Sequence, residues 1–242
     1  DANAVQGLEA DYTIVRDHEV MLDPGDEYGI EEGLLLKEAG GGEVVLVSVG
    51  PDKARDALRK GLSMGADRGI LISDEALSGA DALLTARCLA AAIKGEAPDL
   101  VICATESYDG STGMVPPMLA ELLGVPQLTF AKSVTVDGGT ITINRQTADG
   151  YQVVESRLPA LVTVTAGIAE PRYASLKGIM AARSKEIRVQ TLADLGVTAG
   201  TRAETIETVV DAEARKSGEI VEDDGTSGVE KIIAVLQAAK LV

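Results

Sequence analysis

Directly after an apolar run, DLVICAT, the chain reads ESYDGSTGMVPPMLAELLG over 106–124. The residue types in Asp109-Gly110-Ser111-Thr112-Gly113 suit one kind of chemistry. A strand that runs through glycines and hydroxyl residues into a helix presents backbone N–H groups to an anion, and so holds a phosphate. Gly110 and Gly113 let the backbone come close to the anion, and the Ser111 and Thr112 hydroxyls can donate to it. An ordinary turn with a Ser/Thr helix cap uses the same letters. It is not a Walker loop, since no Gly-Lys-Ser/Thr follows, and it is not GxGxxG. Its position, at the carboxyl end of a parallel strand, is where open α/β sheets bind ligands.

Two further loops are expected on the same sheet edge. MLDPGDEYG (21–29) makes the turn Asp23-Pro24-Gly25-Asp26 before a helix, and VSVGPDK (47–53) ends a strand at Val49 and Gly50. Three converging loops point to an adenine nucleotide pocket. No nucleophile, general base or metal cluster accompanies them, so the pocket reads as built to hold a nucleotide rather than to transform one.

The other stretch with a chemical character of its own is EPRYASLKGIMAARSKEI (170–187). Arg172, Lys177, Arg183 and Lys185 gather there in a chain whose formal net charge is −16. Among them stand Leu176, Ile179 and Met180, in a segment broken by Pro171 and Gly178. A core strand would not carry these charges, and a solvated loop has no use for three large apolar side chains. Most leucines lie in a core, but the surrounding charges need water.

Composition bounds the rest. Hydrophobic residues make up 45% of 242, enough for a sizeable core and too many for global disorder. That core is aliphatic, because the chain has no Trp and one Phe. The acidic balance excludes nucleic acid and anionic membranes as main partners. Two cysteines, Cys88 and Cys103, make no disulfide framework and read as small buried hydrophobes. His18, the one histidine, sits among charges and reads as solvated, which removes metal sites and catalytic triads from consideration. No apolar run approaches the ~18 residues of a membrane span, and no signal peptide is visible. These features describe a reduced, cytoplasmic, soluble protein.

The elements that must position these residues follow from periodicity. EVVLVSVG (43–50), RGILIS (68–73) and DLVICAT (99–105) are buried parallel strands by composition. Helical stretches alternate with them at 27–42, 51–66 and 81–95, the first two closing on glycine. That alternation predicts an α/β fold, a doubly wound and mostly parallel Rossmann-like sheet of the adenine nucleotide alpha hydrolase type. Over 131–167 the pattern becomes alternating, with turns at Asp137-Gly138-Gly139 and Asp149-Gly150, which predicts antiparallel hairpins. LPALVTVTA is apolar enough to return into the main sheet. The domain is placed at 1–187. Residues 188–242 read as an extended C-terminal arm, with 196–226 having little to bury, ending in a short helix, VEKIIAVLQAAK (229–240). The opening residues carry no strand, and a further strand is expected before Asp1.

DGSTGMVPPMLAELLGVPQLT, GYQVVESRLPALVTV and EPRYASLKGIMAARSKEI, in this order and spacing, resemble the beta subunit of electron transfer flavoproteins. So do MLDPGDEYGIEEGLLLKE and the GLSMGADRGI turn. The resemblance implies an electron carrier subunit rather than an enzyme. Its partner would be an alpha subunit carrying FAD, and the arm would dock on that subunit. The beta subunit itself would bury one AMP in a structural role. By similarity, the AMP loops are Asp23, Pro24, Gly25 and Asp26, then Val49, then Ser107, Asp109, Gly110, Ser111, Thr112 and Gly113, followed by Met114 and Val115. The branch that holds a second FAD in place of AMP resembles these segments less. The segment 170–187 then corresponds to the loop that anchors acyl-CoA dehydrogenases. Leu176 would be its plug and Tyr173, Ile179 and Met180 its neighbours, ringed by basic groups. Electrons would pass from the dehydrogenase to a quinone oxidoreductase, as in fatty acid oxidation. Asp1-Ala2-Asn3-Ala4-Val5 resembles the residues just after the family's first strand. The competing class is a universal-stress-type adenine nucleotide-binding regulator, which shares the layers and the glycine-rich turn but has neither the hairpins nor the arm.

Overall fold

Asp23 starts the first helix, α1 (Pro24–Gly40). Its carboxylate accepts the Gly25 N–H at 2.7 Å. Pro24 follows at the helix start, where its missing N–H costs nothing, and Asp26 and Glu27 face the positive end of the helix dipole. Gly41, at φ +79°, ends the helix by donating its N–H to the Lys37 carbonyl at 2.7 Å. The computed structural model describes residues 7–15, 20–200, 203–210, 220 and 227–241. His18 and the segment Asp1–Val5 lie outside the described residues.

The three Val/Ile/Leu runs are strands: β1 (Val45–Val49), β2 (Arg68–Ile72) and β3 (Leu100–Ala104). Helix α2 (Arg55–Met64) joins the first two and stops at Gly65, whose φ of +141° few other residues would adopt. Helix α3 (Ala82–Glu96) begins where the Asp81 carboxylate accepts the Leu84 N–H at 2.8 Å. Its Leu84, Cys88 and Ala92, four residues apart, pack on Ile70 and Ile72 of β2. Ala90 and Ile93 pack on Val101 and Cys103 of β3.

Helix α4 (Val115–Leu123) follows β3. The alternating region is three strands, β4 (Gln127–Asp137), β5 (Thr140–Thr147) and β6 (Gly150–Arg157). The β4–β5 turn uses Gly138 and Gly139, both at positive φ, as two-residue hairpin turns require. The return strand is β7 (Ala160–Val164), buried at all five positions and parallel to both β3 and β4. Thus β4 pairs in parallel on one side and antiparallel with β5 on the other. The register shift sits at Phe130, whose φ of +59° marks a bulge and whose N–H donates to Thr163 Oγ1 at 2.8 Å.

The fold is Rossmann-like α/β, as expected, with its strands in two sheets. One is the parallel trio β1-β2-β8, where β8 is Ile187–Gln190. The other is β3-β7-β4-β5-β6. Two short helices flank β8, α5 (Leu176–Ala182) before it and α6 (Leu192–Leu195) after it.

The chain divides between Ile206 and Glu207, later than the 187/188 boundary expected from composition. The reason is pairing and burial. Strand β8 hydrogen-bonds along β2, Leu192 joins the Ile70–Ile72 cluster with Val197 and Ala199 against it, and the Ala203 N–H donates to Asp81 at 2.6 Å. The second unit contains α7 (Ser227–Ala238), with Val229, Ile232 and Ile233 exposed. Among the described residues, no helix is long and apolar enough to cross a membrane.

Candidate functional site

The carboxyl ends of β3 and β7 open into a cleft of about 420 Å³, within the size range of small-molecule sites. It is lined by Gly25 at the start of α1, by Ala104 at the end of β3 and Thr105, Glu106, Ser107, Tyr108 and Ser111 after it, and by Val164 at the end of β7 and Ala166 after it. Gly25 is required by the approach of α1 to β3: a β-carbon there would stand 3.1 Å from Asp23 Oδ1 and 3.2 Å from Ala104 Cβ. Asp23 joins the two loops. One carboxylate oxygen caps α1 at Gly25, and the other accepts the Tyr108 N–H at 2.7 Å. The first turn of α1 and the 107–113 turn are thereby brought together, and of the residues singled out there Gly25, Ser107 and Ser111 line the cleft.

Val49 lies elsewhere. It ends β1 and packs against the Ile70–Ile72 cluster, and it does not line this cleft. Met114 is exposed beside the turn, and Val115 is the first residue of α4. Sequence reasoning passed over Ala104, Thr105, Glu106, Val164 and Ala166. The signal for the last two was available: an apolar strand returning beside β3 must end on the same edge.

The turn's capacity for phosphate is narrower than its composition suggests. The Tyr108, Gly110 and Ser111 N–H groups are already taken, by Asp23 Oδ2, Ser107 Oγ and the Ser107 carbonyl. Pro116 and Pro117 bring no N–H to the first turn of α4. The N–H groups of Thr112, Gly113 and Val115 remain at the helix start, with the Thr112 hydroxyl, while the Ser111 hydroxyl donates to the Ser107 and Tyr108 carbonyls at 3.4 Å. Among the described residues, no lysine or arginine lines the cleft. Carboxylates do surround it: a β-carbon on Gly113 would lie 3.6 Å from Glu106 Oε2, and the charges of Asp23 and Asp109 both act on Asp26. Asp26 keeps an exposed surface, yet the protein packed around its carboxyl strips much of its hydration. That desolvation, with the charges of Asp23 and Asp109, pushes its pKa up to about 6.

The segment 170–187 is built inside out. Helix α5 starts where Ser175 Oγ accepts the Gly178 N–H at 3.0 Å. Its inner face is small, Gly178 and Ala182, spaced i, i+4 against α2. Its outer face carries Leu176, Ile179 and Met180, spaced i, i+3, i+4 and 75%, 45% and 65% exposed, with Tyr173 before it at 94%. Leu176, Ile179 and Met180, picked out in the sequence, therefore share one exposed helix face, with Tyr173 exposed ahead of it.

Two of the expected basic rim groups are instead clamps. Arg172 forms a bidentate pair with Glu31, at 2.8 Å, and reaches Glu38 at 2.5 Å. Burial alone would raise the Glu31 carboxyl, but the Arg172 hydrogen bonds outweigh it and hold it below its ordinary range. Lys185 Nζ donates to the Leu62 carbonyl at 3.0 Å and to the Ala66 carbonyl, at the end of α2. In return, Arg59 on α2 donates to the Ala182 and Lys185 carbonyls at the end of α5. Each helix thus has its unpaired C-terminal carbonyls satisfied by a cation from the other segment.

Comparison with known proteins adds a family to this geometry. Residues 11–195 match the model of the electron transfer flavoprotein domain. A Mycobacterium bovis protein named electron transfer flavoprotein subunit beta is 39% identical over 246 residues, covering 97% of this chain and 92% of its own. Proteins of the same name from Bradyrhizobium diazoefficiens and Clostridium acetobutylicum are each 41% identical, over 205 and 177 residues. They cover 84% and 73% of this chain, and 81% and 68% of their own.

Proposed function

Since this chain belongs to the electron transfer flavoprotein family, as a beta subunit, we propose that it is the docking and nucleotide-holding half of a heterodimeric electron carrier. Its partner is an alpha subunit whose FAD carries the electrons. Acyl-CoA-type dehydrogenases dock on α5, and a quinone oxidoreductase receives the electrons. The observation that carries this reading is the outward stripe of α5. A helix that turns its large apolar side chains to solvent and its glycine and alanine to the protein has a hydrophobic face with no use inside its own chain. A small apolar centre of this kind is what a binding hot spot needs.

The cleft between α1 and the 107–113 turn holds AMP in this reading. Its size suits a nucleotide, and its chemistry divides. Thr112, Gly113 and Val115 N–H groups with the Thr112 hydroxyl suit the phosphate. The carboxylates on the α1 side suit ribose hydroxyls, which donate to acidic residues in nucleotide sites. With no cation among the described lining residues, the nucleotide is held by neutral donors and has a structural role. The exposed face of α7 is covered by the alpha subunit.

The test is flavin reduction in the assembled heterodimer by a substrate-reduced medium-chain acyl-CoA dehydrogenase. Leu176→Ala removes a side chain worth on the order of 2 kcal/mol in a partner's pocket, about thirtyfold in affinity. Docking should weaken by that factor while melting temperature and flavin content hold. A melting temperature several degrees lower with an unchanged transfer rate would mean Leu176 supports the fold instead.

A further inference from the structure

Helix α2 carries a second cleft beside the docking helix, of about 470 Å³, lined by Arg59, Lys60, Ser63, Ile179, Ala182 and Arg183. Half of these residues are cationic and none is acidic, in a chain with 38 carboxylate residues against 22 lysines and arginines. Elsewhere Lys37, Arg55, Arg68, Arg172 and Arg188 each meet a carboxylate. Lys60 and Arg183 are exposed and form no ion pair among the described residues. Arg59 is held in place by the two α5-end carbonyls, so the floor of the cleft is rigid. Ile179 belongs both to this cleft and to the exposed apolar face, which makes the two surfaces continuous.

We propose that this cleft receives a carboxylate side chain of the redox partner, so that the docking surface spans α2 as well as α5. The partner it fits presents an apolar pocket for Leu176 with an aspartate or glutamate beside it. The inference rests on the reading of α5 as the docking helix. Its physical basis is charge complementarity. A local positive patch on a strongly acidic protein steers an acidic partner to one face and disfavours approach elsewhere. A rigid cationic floor next to an apolar anchor then sets the orientation.

The experiment uses the whole heterodimer with Lys60→Glu, Lys60→Gln and Leu176→Ala. Rapid mixing with reduced medium-chain acyl-CoA dehydrogenase is followed by flavin absorbance over a range of ionic strength. Lys60→Glu should lower the second-order rate constant about tenfold at low ionic strength, with the gap narrowing as salt screens the contact. Lys60→Gln should fall between, and Leu176→Ala should be slow at every salt concentration. A Lys60→Glu complex as fast as wild type beside a slow Leu176→Ala overturns the carboxylate contact and leaves the α5 reading intact. If both are fast, the α5 reading fails and this inference fails with it. Inhibition of the wild type by inorganic phosphate, beyond that of sodium chloride at equal ionic strength and lost in Lys60→Glu, would assign the cleft to a small anion and overturn the proposal.

Discussion

A β-carbon placed on Gly178 would stand 2.4 Å from the carbonyl oxygen of Ser63. The contact is with backbone, near the C-terminal end of α2, and backbone cannot swing aside as a long side chain can. Gly178→Ala should therefore push α5 off α2 and cost about 1–3 kcal/mol, the usual penalty of overpacking. Thermal melting should show the loss, and dehydrogenase-dependent flavin reduction should slow with it. Leu176→Ala separates the two readouts, since it should slow transfer without lowering the melting temperature.

Arg172 is the counter-ion of Glu31, which is 4% exposed. Arg172→Ala leaves that carboxylate buried and unpaired, at a cost of about 3 kcal/mol in urea unfolding at neutral pH. In the wild type the Glu31 carboxyl lies below its ordinary 4.5. The pair's stabilisation is thus full above 4.5 and is lost as pH falls through the lower folded value. The gap between wild type and Arg172→Ala should close on acidification. Arg172→Lys should recover only part of it, because an ammonium does not reproduce the bidentate fork.

Asp26 has the opposite sign. Its folded pKa of about 6 lies above its ordinary 3.8, so the native state holds the proton more tightly than the unfolded chain. Wild-type stability should rise as pH falls from 6 towards 3.8. Asp26→Asn removes the poorly solvated charge. It should melt at a higher temperature than wild type above pH 6, and that advantage should shrink through the same window. A constant difference across pH would mean that Asp26 is not the group titrating.

Heat-denatured pure protein should release AMP in about equimolar amount, read by chromatography of the supernatant. Gly113 sits at φ +61°, so Gly113→Val adds left-handed backbone strain of about 1–2 kcal/mol in the turn proposed to hold the phosphate. The nucleotide content of that variant should fall. FAD in the supernatant in place of AMP would assign the cleft to the second-flavin branch, and no nucleotide at all would sink the pocket.

Removal of residues 207–242 should leave the two sheets and their circular dichroism unchanged, because those residues form a separate unit. Assembly with the alpha subunit and retention of FAD should weaken, since Val229, Ile232 and Ile233 find no burial within their own unit. Size-exclusion chromatography of the mixed subunits reads the outcome.

Local chemistry decided much of this protein from sequence alone. Runs such as VLVSV and LVICA have no polar periodicity and so had to be strands of a parallel sheet, Asp81 had to start a helix, and Gly138-Gly139 had to turn a hairpin. The apolar residues of 170–187 stood out for the same reason: large side chains among charges have no local explanation. Tertiary structure decided what each charge and each turn donor is for. Arg172 and Lys185 looked like rim cations because sequence reports a charge but not its partner, and their partners, Glu31 and the Leu62 carbonyl, lie 141 and 123 residues away. Gly110 and Ser111 looked like free phosphate donors until Ser107 was seen to take their N–H groups. Strand β8 looked like the start of an arm because four residues at a sheet edge bury too little to read as a strand, and only pairing with β2 makes them one. Propensity, capping and periodicity act within a few residues and can be read in order along the chain, whereas ion pairs, cross-chain caps and sheet edges depend on which distant segments meet.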